Sequence, residues 1–173
     1  MEKRVYKDGI TPTLDGVRAR LHPALHERLR AEAGFDEARP SKDYPLATFD
    51  AVVKLLAAEL FEGDEARLGV AVLERYQHSL LGKAIFPLIR LIGPMRFLKR
   101  VPFAFRQVNN FAEVTVQVTS ARSCVIEHNE VGAIPQYFRG VLQTAGDLLC
   151  LPAFRCELLD YDGHRARFGI SWR

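Results

Sequence analysis

Five histidines and three cysteines are the side chains whose chemistry could indicate a metal or redox site. His22 and His26 have the i,i+4 spacing that places two imidazoles on one helix face, but no HExxH-type glutamate lies between them. His78 follows Glu74 by four residues, which is an ordinary pairing on a helix surface. These spacings favour surface histidines, and we assign no metal ligand.

The three cysteines lack the spacing of a zinc or redox motif. Cys124 and His128 are four residues apart on one predicted strand, so Cys150 and Cys156 would have to converge on them to complete a metal site. Buried apolar cysteines are the simpler interpretation. An odd number of cysteines without CxxC spacing is typical of a reducing compartment.

Motifs of nucleophilic catalysis and phosphate binding are absent, since the sequence has no GxSxG, Walker A or GxGxxG pattern. The acidic pairs Asp36-Glu37 and Asp64-Glu65 are typical of loops and helix caps. An acid/base pair that meets only in space leaves no sequence signal. We therefore assign no catalytic residue; the sequence favours a non-enzyme and leaves an enzyme open as the alternative.

The positive charge is concentrated in one stretch between Glu74 and Glu113. Seven of the 24 cations lie there, whereas all 21 acidic residues lie elsewhere. The cations are Arg75, Lys83, Arg90, Arg96, Lys99, Arg100 and Arg106. Such asymmetry indicates an anionic partner, unless these cations pair with acids elsewhere in the fold.

The segment GPMRFLKRVPFAFRQVNN, residues 93–110, is amphipathic at helical spacing. Phe103 lies in the middle of the cationic side, and Pro102 favours a break in the helix. If Phe103 points outward, the cations form a surface for an anion or a partner; if it turns inward, they are only a solvated edge. The candidate ligand-binding residues are Arg96, Lys99, Arg100, Phe103, Arg106 and Asn110.

The elements that must position this segment are mostly helical before it and mixed after it. Helical periodicity covers residues 13–33, 45–61 and 64–82, and a turn is expected before the first of these helices, at Thr11-Pro12. The third helix is expected to end at Gly82, with Leu80 and Leu81 in its last turn facing inward. The period changes to two at residues 113–119 and 123–128, and a helix then opens near Pro135.

The last two strands surround Asp162-Gly163, and their register can be tested on the pattern of apolar residues. A three-residue loop, 162–164, opposes Asp160 to Ala166, Leu158 to Phe168 and Cys156 to Ile170. This register separates apolar from polar faces, so we predict the longer, bulged loop. The fold class is therefore α+β, an N-terminal helical layer followed by β-β-α-β-β with a four-stranded antiparallel sheet.

Length and composition indicate one globular unit. We expect a single domain over residues 1–173, with residues 1–110 mostly helical and residues 111–173 forming the β-β-α-β-β half. No apolar run is long enough to span a membrane, and the N-terminus lacks the apolar region of a signal peptide. We expect a cytoplasmic protein.

The sequence resembles an uncharacterised and mainly myxobacterial family, catalogued as domain of unknown function 2378. The resemblance covers nearly the whole chain and rests on stretches such as YPLATFDAVVKLLAAELF, the LxGPxRFL motif, the NNFxEV strand entry and the closing FGISW. The family has no established activity, so no catalytic residue carries over from it.

A looser resemblance is architectural. Helices followed by β-β-α-β-β are similar to the ligand-binding fold of haem-nitric-oxide sensors, 4-vinyl reductase-like domains and Bet3-type trafficking subunits. Haem sensors carry a YxSxR clamp near their first strands, whereas this chain has NNFAEVTVQVTSAR there. The cofactor is therefore unknown, and haem is disfavoured.

Three hypotheses for function follow. The leading one is a non-enzymatic ligand-binding or sensory module that holds a small, largely apolar molecule between helices and sheet, with an anionic group near Arg100 and Arg106. The second is a dimerising interaction subunit that docks on a partner protein. The third is attachment to an anionic surface through residues 96–106; for that surface a membrane is preferred and nucleic acid is not expected.

Overall fold

The structure is a computed structural model that describes residues 2–173, without the side chains of Leu81, Ile85 and Ala104. Its α-helices are Lys7–Val17 (α1), Pro23–Ala33 (α2), Leu46–Phe61 (α3), Glu65–Gln77 (α4), Leu80–Ile92 (α5), Pro94–Leu98 (α6), Val101–Val108 (α7) and Pro135–Leu148 (α8). Its strands are Arg4–Tyr6 (β1), Asp43–Pro45 (β2), Val114–Ser120 (β3), Ser123–His128 (β4), Arg155–Tyr161 (β5) and Ala166–Ser171 (β6). The α+β class is confirmed.

The four-stranded sheet has the order β3-β4-β6-β5, and every neighbouring pair is antiparallel. Alternation places one face of β4 and β6 in the core, where Cys124, Ile126, Phe168 and Ile170 are almost fully buried. A separate two-stranded sheet pairs β1 with β2. The β-β-α-β-β order predicted from the change of period is confirmed.

The hairpin of β5 and β6 has the predicted register in the part that lies away from its loop. Cys156 pairs with Ile170 and Leu158 pairs with Phe168, as expected from the apolar faces. A bulge between Leu158 and Asp160 then opposes Asp160 to Arg167 instead of Ala166. The irregularity therefore lies within β5 rather than only in the loop.

The N-terminal turn predicted at Thr11-Pro12 is wrong. Pro12 lies inside α1, although proline removes one helix hydrogen bond. Ile10, Leu14 and Val17 on the same helix are 2% exposed or less, so their burial in the helical core outweighs the local preference for a turn.

The helix end predicted at Gly82 is also wrong. α4 ends at Gln77, and the Ser79 hydroxyl caps α5 by accepting a hydrogen bond from the Gly82 N–H at 3.0 Å. Leu80, predicted to face inward, is 90% exposed because it is the first residue of this new helix. The Leu81 side chain lies outside the described part of the structure.

Helix α8 connects two hydrophobic clusters, one among α1–α4 and one between the sheet and α6–α7. Phe138 on α8 packs against both clusters. α8 crosses α4 at two glycines: a Cβ at Gly140 would lie 2.1 Å from the Ala66 carbonyl oxygen, and one at Gly69 would lie 2.3 Å from the Tyr137 oxygen. The backbones therefore approach more closely than any larger side chain allows.

Membrane-spanning helices were sought over the described residues. None of the helices there is both long and apolar enough to cross a bilayer.

Candidate functional site

Two apolar cavities lie on either side of a wall formed by Phe105 of α7 with Phe138 and Val141 of α8. The larger, here called the α5–α8 cavity, has a volume of about 400 Å³. The smaller, here called the His128 cavity, has a volume of about 190 Å³. Both lie along α8. None of the described residues that line the α5–α8 cavity belongs to a strand, so this cavity lies among helices and not between helices and sheet as predicted.

The α5–α8 cavity is enclosed by α5, α6 and α7 on one side and by α8 on the other. Leu88, Ile92, Phe97 and Leu142 are typical of its apolar lining. Among the described residues that line it, only Arg100 carries a charge. The cavity is therefore suited to an apolar molecule whose polar end points toward Arg100.

Local sequence signals shape the three short elements over this cavity. α5 ends at Ile92 and is followed by Gly93, whose φ of 87° is a backbone conformation that glycine adopts without strain. Pro94 then opens α6, and Pro102 lies in the first turn of α7. The break predicted near Pro102 is therefore observed, and it separates α6 from α7.

Phe103 points outward despite this break. Its side chain is 69% exposed, and it also lines the α5–α8 cavity together with Arg100. An exposed residue that lines a cavity marks where the cavity reaches the surface. Phe103 and Arg100 therefore stand at the rim, which is the outward alternative of the sequence analysis.

The remaining predicted site residues lie in two places. Arg96, Lys99 and Arg106 are exposed and do not line either cavity. Asn110 accepts a hydrogen bond from the Arg4 N–H at 2.8 Å and donates one to the Glu2 carbonyl at 3.2 Å. Asn110 therefore attaches the end of α7 to β1 and is not brought to the rim.

The seven cations between Glu74 and Glu113 are not neutralised within the fold. Across residues 2–173, no carboxylate lies within 4.0 Å of a nitrogen of these side chains. Arg90 instead donates to the Leu148 carbonyl at 2.7 Å. The alternative in which these cations pair with acids elsewhere is therefore wrong.

Large exposed apolar side chains accompany these cations. Leu80, Leu88, Leu91 and Phe103 are 90%, 57%, 85% and 69% exposed. All of them lie on α5 or α7. We call these four side chains, with Arg96, Lys99, Arg100 and Arg106, the basic-apolar face.

The His128 cavity lies where β1, α1, α3 and α7 meet the end of β4. Phe49, Phe111 and Tyr137 are among its lining residues, in addition to the shared ring of Phe138. Its polar side chains are mostly satisfied: the Tyr137 hydroxyl shares a 2.8 Å hydrogen bond with Thr13. Burial, only partly offset by this bond, raises the pKa of Tyr137 to about 12, so its hydroxyl is neutral.

His128 is the exception among the polar side chains of this cavity. It is 2% exposed, and neither imidazole nitrogen has a hydrogen-bond partner among the described residues. Its ring centroid lies 4.5 Å from that of Phe105 and 5.3 Å from that of Phe138. Burial lowers the pKa of His128 to about 4, and the Glu130 backbone near the ring, followed by the Glu130 charge, offsets only part of this effect.

Glu130, two residues beyond His128, is a second buried polar group at the cavity. It bonds to the Lys3 ammonium and accepts a hydrogen bond from the Gly132 N–H at 3.0 Å. Although burial acts to raise it, these donors hold the pKa of Glu130 below its usual value. The cavity therefore has an ionised carboxylate and a neutral imidazole in its wall.

The structure separates the other candidate metal ligands. The His22 ring accepts a hydrogen bond from the Leu25 N–H at 3.3 Å, and thereby caps α2. His26 lies 3.3 Å from Glu37 on the surface. Among the described residues, no three His, Cys, Asp or Glu side chains lie close enough together to hold a metal ion.

Sequence reasoning considered His128 only as a possible partner of Cys124 and missed its place in a cavity. The signal was present, because Cys124, Ile126 and His128 alternate onto the same buried face of β4. A histidine on such a buried face either has a hydrogen-bond partner or faces a cavity. The rings of Phe105 and Phe138 come from distant segments, so their meeting could not be foreseen.

Comparisons with known proteins identify the family of the chain and the fold that its structure resembles. The family model described as "Protein of unknown function (DUF2378)" matches residues 5–173. The structure is similar to an Fe(II) unliganded H-NOX protein from K. algicida, with a TM-score of 0.67 and 13% identity over 95% of this chain and 94% of that chain. No curated protein sequence matches the chain.

A second solved structure gives the same result. It is described as an oxygen-binding H-NOX domain related to soluble guanylate cyclases, with a TM-score of 0.66 and 11% identity over 95% of this chain and 93% of that chain. Identities this low carry the fold alone. The predicted likeness to the haem-nitric-oxide-binding fold is therefore confirmed as an architecture.

Proposed function

Since the chain belongs to the DUF2378 family, whose description assigns no function, we propose its function from the site: it is a non-enzymatic module that binds a small apolar molecule with an anionic end group. The binding place is the α5–α8 cavity. The ligand's apolar body lies among the side chains of α5–α8, and its anionic group lies beside Arg100 at the rim.

The observation that carries this proposal is the size and chemistry of the α5–α8 cavity. Its volume of about 400 Å³ lies within the ~300–1,000 Å³ range of small-molecule pockets. A single cation at the edge of an apolar lining is the pattern that orients a ligand with one charged end. Phe103 at the rim offers an aromatic surface for the part of the ligand that remains near solvent.

A haem is not part of this proposal, although the similar solved structures are an Fe(II) unliganded H-NOX protein and an oxygen complex of an H-NOX domain. No histidine, cysteine, tyrosine or methionine is among the described residues that line the α5–α8 cavity. His128 faces the other cavity, whose volume of about 190 Å³ is below the usual size of small-molecule pockets. The donor set present does not fit an iron porphyrin.

Titration calorimetry with decanoate and 1-decanol tests the proposal. Arg100→Gln should weaken decanoate binding about 3- to 10-fold, since charge-assisted hydrogen bonds contribute ~1.5–3 kcal/mol when buried and less at a rim. Binding of 1-decanol should not change. Lys99→Gln, the neighbouring exposed cation outside the lining, is the matched control and should leave both affinities unchanged.

A cavity-filling variant provides the second arm. Ala145 lines the α5–α8 cavity from α8, so Ala145→Phe should occupy the space and abolish binding of both probes. If neither probe binds the unmodified protein, or if Ala145→Phe binds both as before, the α5–α8 cavity is not the site.

The basic-apolar face supports a second candidate function, attachment to an anionic membrane surface. Four cations without an ion-pair partner among the described residues, on the same α5–α7 segment as four exposed large apolar side chains, have the composition of an interfacial membrane-binding element. Each cation near an anionic bilayer contributes ~1 kcal/mol at low salt. The exposed leucines of α5 would insert among the lipid head groups.

Vesicle sedimentation tests this candidate. Replacing Lys99, Arg100 and Arg106 by glutamine should weaken binding to phosphatidylserine-containing vesicles about 30- to 100-fold at low salt. The double variant Arg122→Gln, Arg155→Gln, which removes exposed cations of the sheet half, should bind as the unmodified protein does. Equal binding to uncharged phosphatidylcholine vesicles would contradict the candidate, and dimers in light scattering without vesicle binding would favour the interaction subunit instead.

A further inference from the structure

We propose that the His128 cavity is a second ligand site, separate from the α5–α8 cavity, and that it takes a single-ring aromatic molecule with one hydroxyl group. The juxtaposition that carries this proposal is a buried imidazole, without a hydrogen-bond partner in the described part of the chain, in the wall of an aromatic-lined cavity of one-ring size. The proposal does not depend on a ligand in the α5–α8 cavity.

The volume of the cavity fixes the size of its occupant. An engineered apolar cavity of about 150 Å³ binds benzene. The His128 cavity has about 190 Å³, which accommodates one ring and a small substituent. Asp8, an exposed residue of α1, is among its lining residues, so the cavity reaches the surface beside α1.

The chemistry of the wall fixes the polar group. Buried polar side chains are nearly always hydrogen-bonded, because an unpaired one loses its water without compensation. Neither His128 nitrogen has a hydrogen-bond partner of good geometry among residues 2–173, although the Glu130 backbone lies near the ring, whereas Tyr137 and Glu130 in the same wall have their partners. A neutral imidazole offers one donor and one acceptor, and a hydroxyl group can satisfy either of them.

The acidic residues of the wall favour a neutral ligand over an anionic one. The carboxylates of Asp8 and Glu130 both line the cavity, so an anionic group would meet like charge there. The α5–α8 cavity has the reverse polarity, with Arg100 as its charged residue. The two cavities therefore select different end groups, a neutral hydroxyl here and an anion there.

The aromatic lining fits a ring. Phe105 packs edge-on against His128 with an interplanar angle of 87°, and Phe49 is T-shaped to Tyr137 at 86°. Both of these phenylalanines line the cavity. Rings arranged in this way present edges and faces that a further ring can meet with favourable geometry.

Phenol and toluene are the probes, because they differ by a hydroxyl in place of a methyl group. His128→Phe keeps a ring in the wall but removes both nitrogens. We expect the ratio of phenol affinity to toluene affinity, measured by calorimetry or ligand-observed NMR, to fall about 5-fold or more in this variant, since a hydrogen bond contributes that much net affinity. His164→Phe, at an exposed histidine, is the matched control and should leave the ratio unchanged.

Imidazole ¹⁵N NMR of the unmodified protein keeps the test independent of whether the variant folds. Phenol should shift the His128 nitrogen resonances, and toluene should not. An unchanged affinity ratio in His128→Phe, no binding of either probe, or identical His128 shifts with both would overturn the proposal. A crystal structure grown with phenol that shows only an ordered water at His128 would overturn it too.

Decanoate binding to His128→Phe separates this proposal from the proposed function. The decanoate affinity should match that of the unmodified protein, because His128 does not line the α5–α8 cavity. If His128→Phe lost decanoate affinity as well as its preference for phenol over toluene, the proposal that the two cavities are separate sites would be wrong.

Discussion

The burial of the His128 imidazole affects the pH dependence of stability as well as binding. Its pKa is about 4 in the folded chain and ~6.5 in an unfolded one. Between these values the unfolded chain binds a proton and the folded chain does not, so acid favours unfolding. The contribution of His128 is complete above pH ~6.5 and is lost as the pH falls toward 4.

We expect His128→Phe to reduce the loss of stability in acid. Between pH 7 and pH 4.5 the unmodified protein should lose about 2–3 kcal/mol more unfolding free energy than the variant, from a shift of ~2.5 pH units at 1.36 kcal/mol each. Urea unfolding at the two pH values measures this. His164→Phe serves as the control, and an equal loss in all three proteins would contradict the burial of His128.

The three cysteines should differ in reactivity at neutral pH. Burial raises the pKa of Cys124 to about 11 and that of Cys156 to about 12, and both side chains lie in the core. Cys150 is exposed, with a φ of 57° directly after α8. Because the thiolate is the reactive form, Cys150 should react with Ellman's reagent much faster than the other two.

The count of fast-reacting thiols measures this difference. One thiol per chain should react at pH 8 without denaturant, and all three should react in 6 M guanidinium chloride. Cys150→Ser should remove the fast phase completely. A fast phase that persists in Cys150→Ser would show that the sheet face carrying Cys124 opens readily.

At the scale of elements, the crossing of α4 and α8 depends on two glycines with no room for a side chain. A Cβ at Gly140 would lie 2.1 Å from the Ala66 carbonyl oxygen, which belongs to backbone and cannot rotate away. Gly140→Ala should lower the unfolding free energy by about 1–3 kcal/mol despite the better helix propensity of alanine. Thermal and urea denaturation measure the change.

Gln136→Ala on the same helix is the control for this prediction. Gln136 is exposed, so the substitution should change stability by less than about 0.5 kcal/mol. Gly140→Ala with unchanged or increased stability would mean that the two helices can separate without cost.

The elements also show what the sequence could and could not predict. The strands were predictable because their apolar alternation has a strict period of two, and the paired faces of β5 and β6 fixed most of their register. The short elements α5, α6 and α7 were harder, since Ser79, Gly93 and Pro102 each permit a boundary without requiring one. Leu80 is exposed because α5 begins at this residue, directly after the Ser79 cap.

The candidate site was predictable only in part, for a reason of distance along the chain. Arg100 and Phe103 are close in sequence and were recognised by their charge and aromatic character. The cavity they border is completed by α8, some forty residues later. Asn110 matched the same local pattern, but its hydrogen bonds to Arg4 and Glu2 required the tertiary structure.

For the whole molecule, we expect the helical half and the sheet half to unfold together. Phe138 packs against the hydrophobic clusters of both halves, and Lys3 near β1 bonds to Glu130 after β4. The single tryptophan, Trp172, packs against the sheet cluster, whereas far-UV circular dichroism reports mainly on the helices. Urea transitions followed by the two signals should therefore coincide.

Phe138→Ala is the informative variant for this prediction. It should lower stability by about 3–5 kcal/mol, since it removes a ring from two clusters at once. A single domain would still show coincident transitions at lower urea. Two separated midpoints in the unmodified protein would contradict the single-domain prediction.

The wall that the two cavities share would couple the two proposed ligand sites. Phe105 and Phe138 line both spaces, so a ligand that moves either ring enlarges one space at the expense of the other. By thermodynamic reciprocity, each occupant then changes the affinity of the other by the same factor. If both binding proposals hold, such coupling would let the protein respond to the combination of two molecules, which a single pocket cannot do.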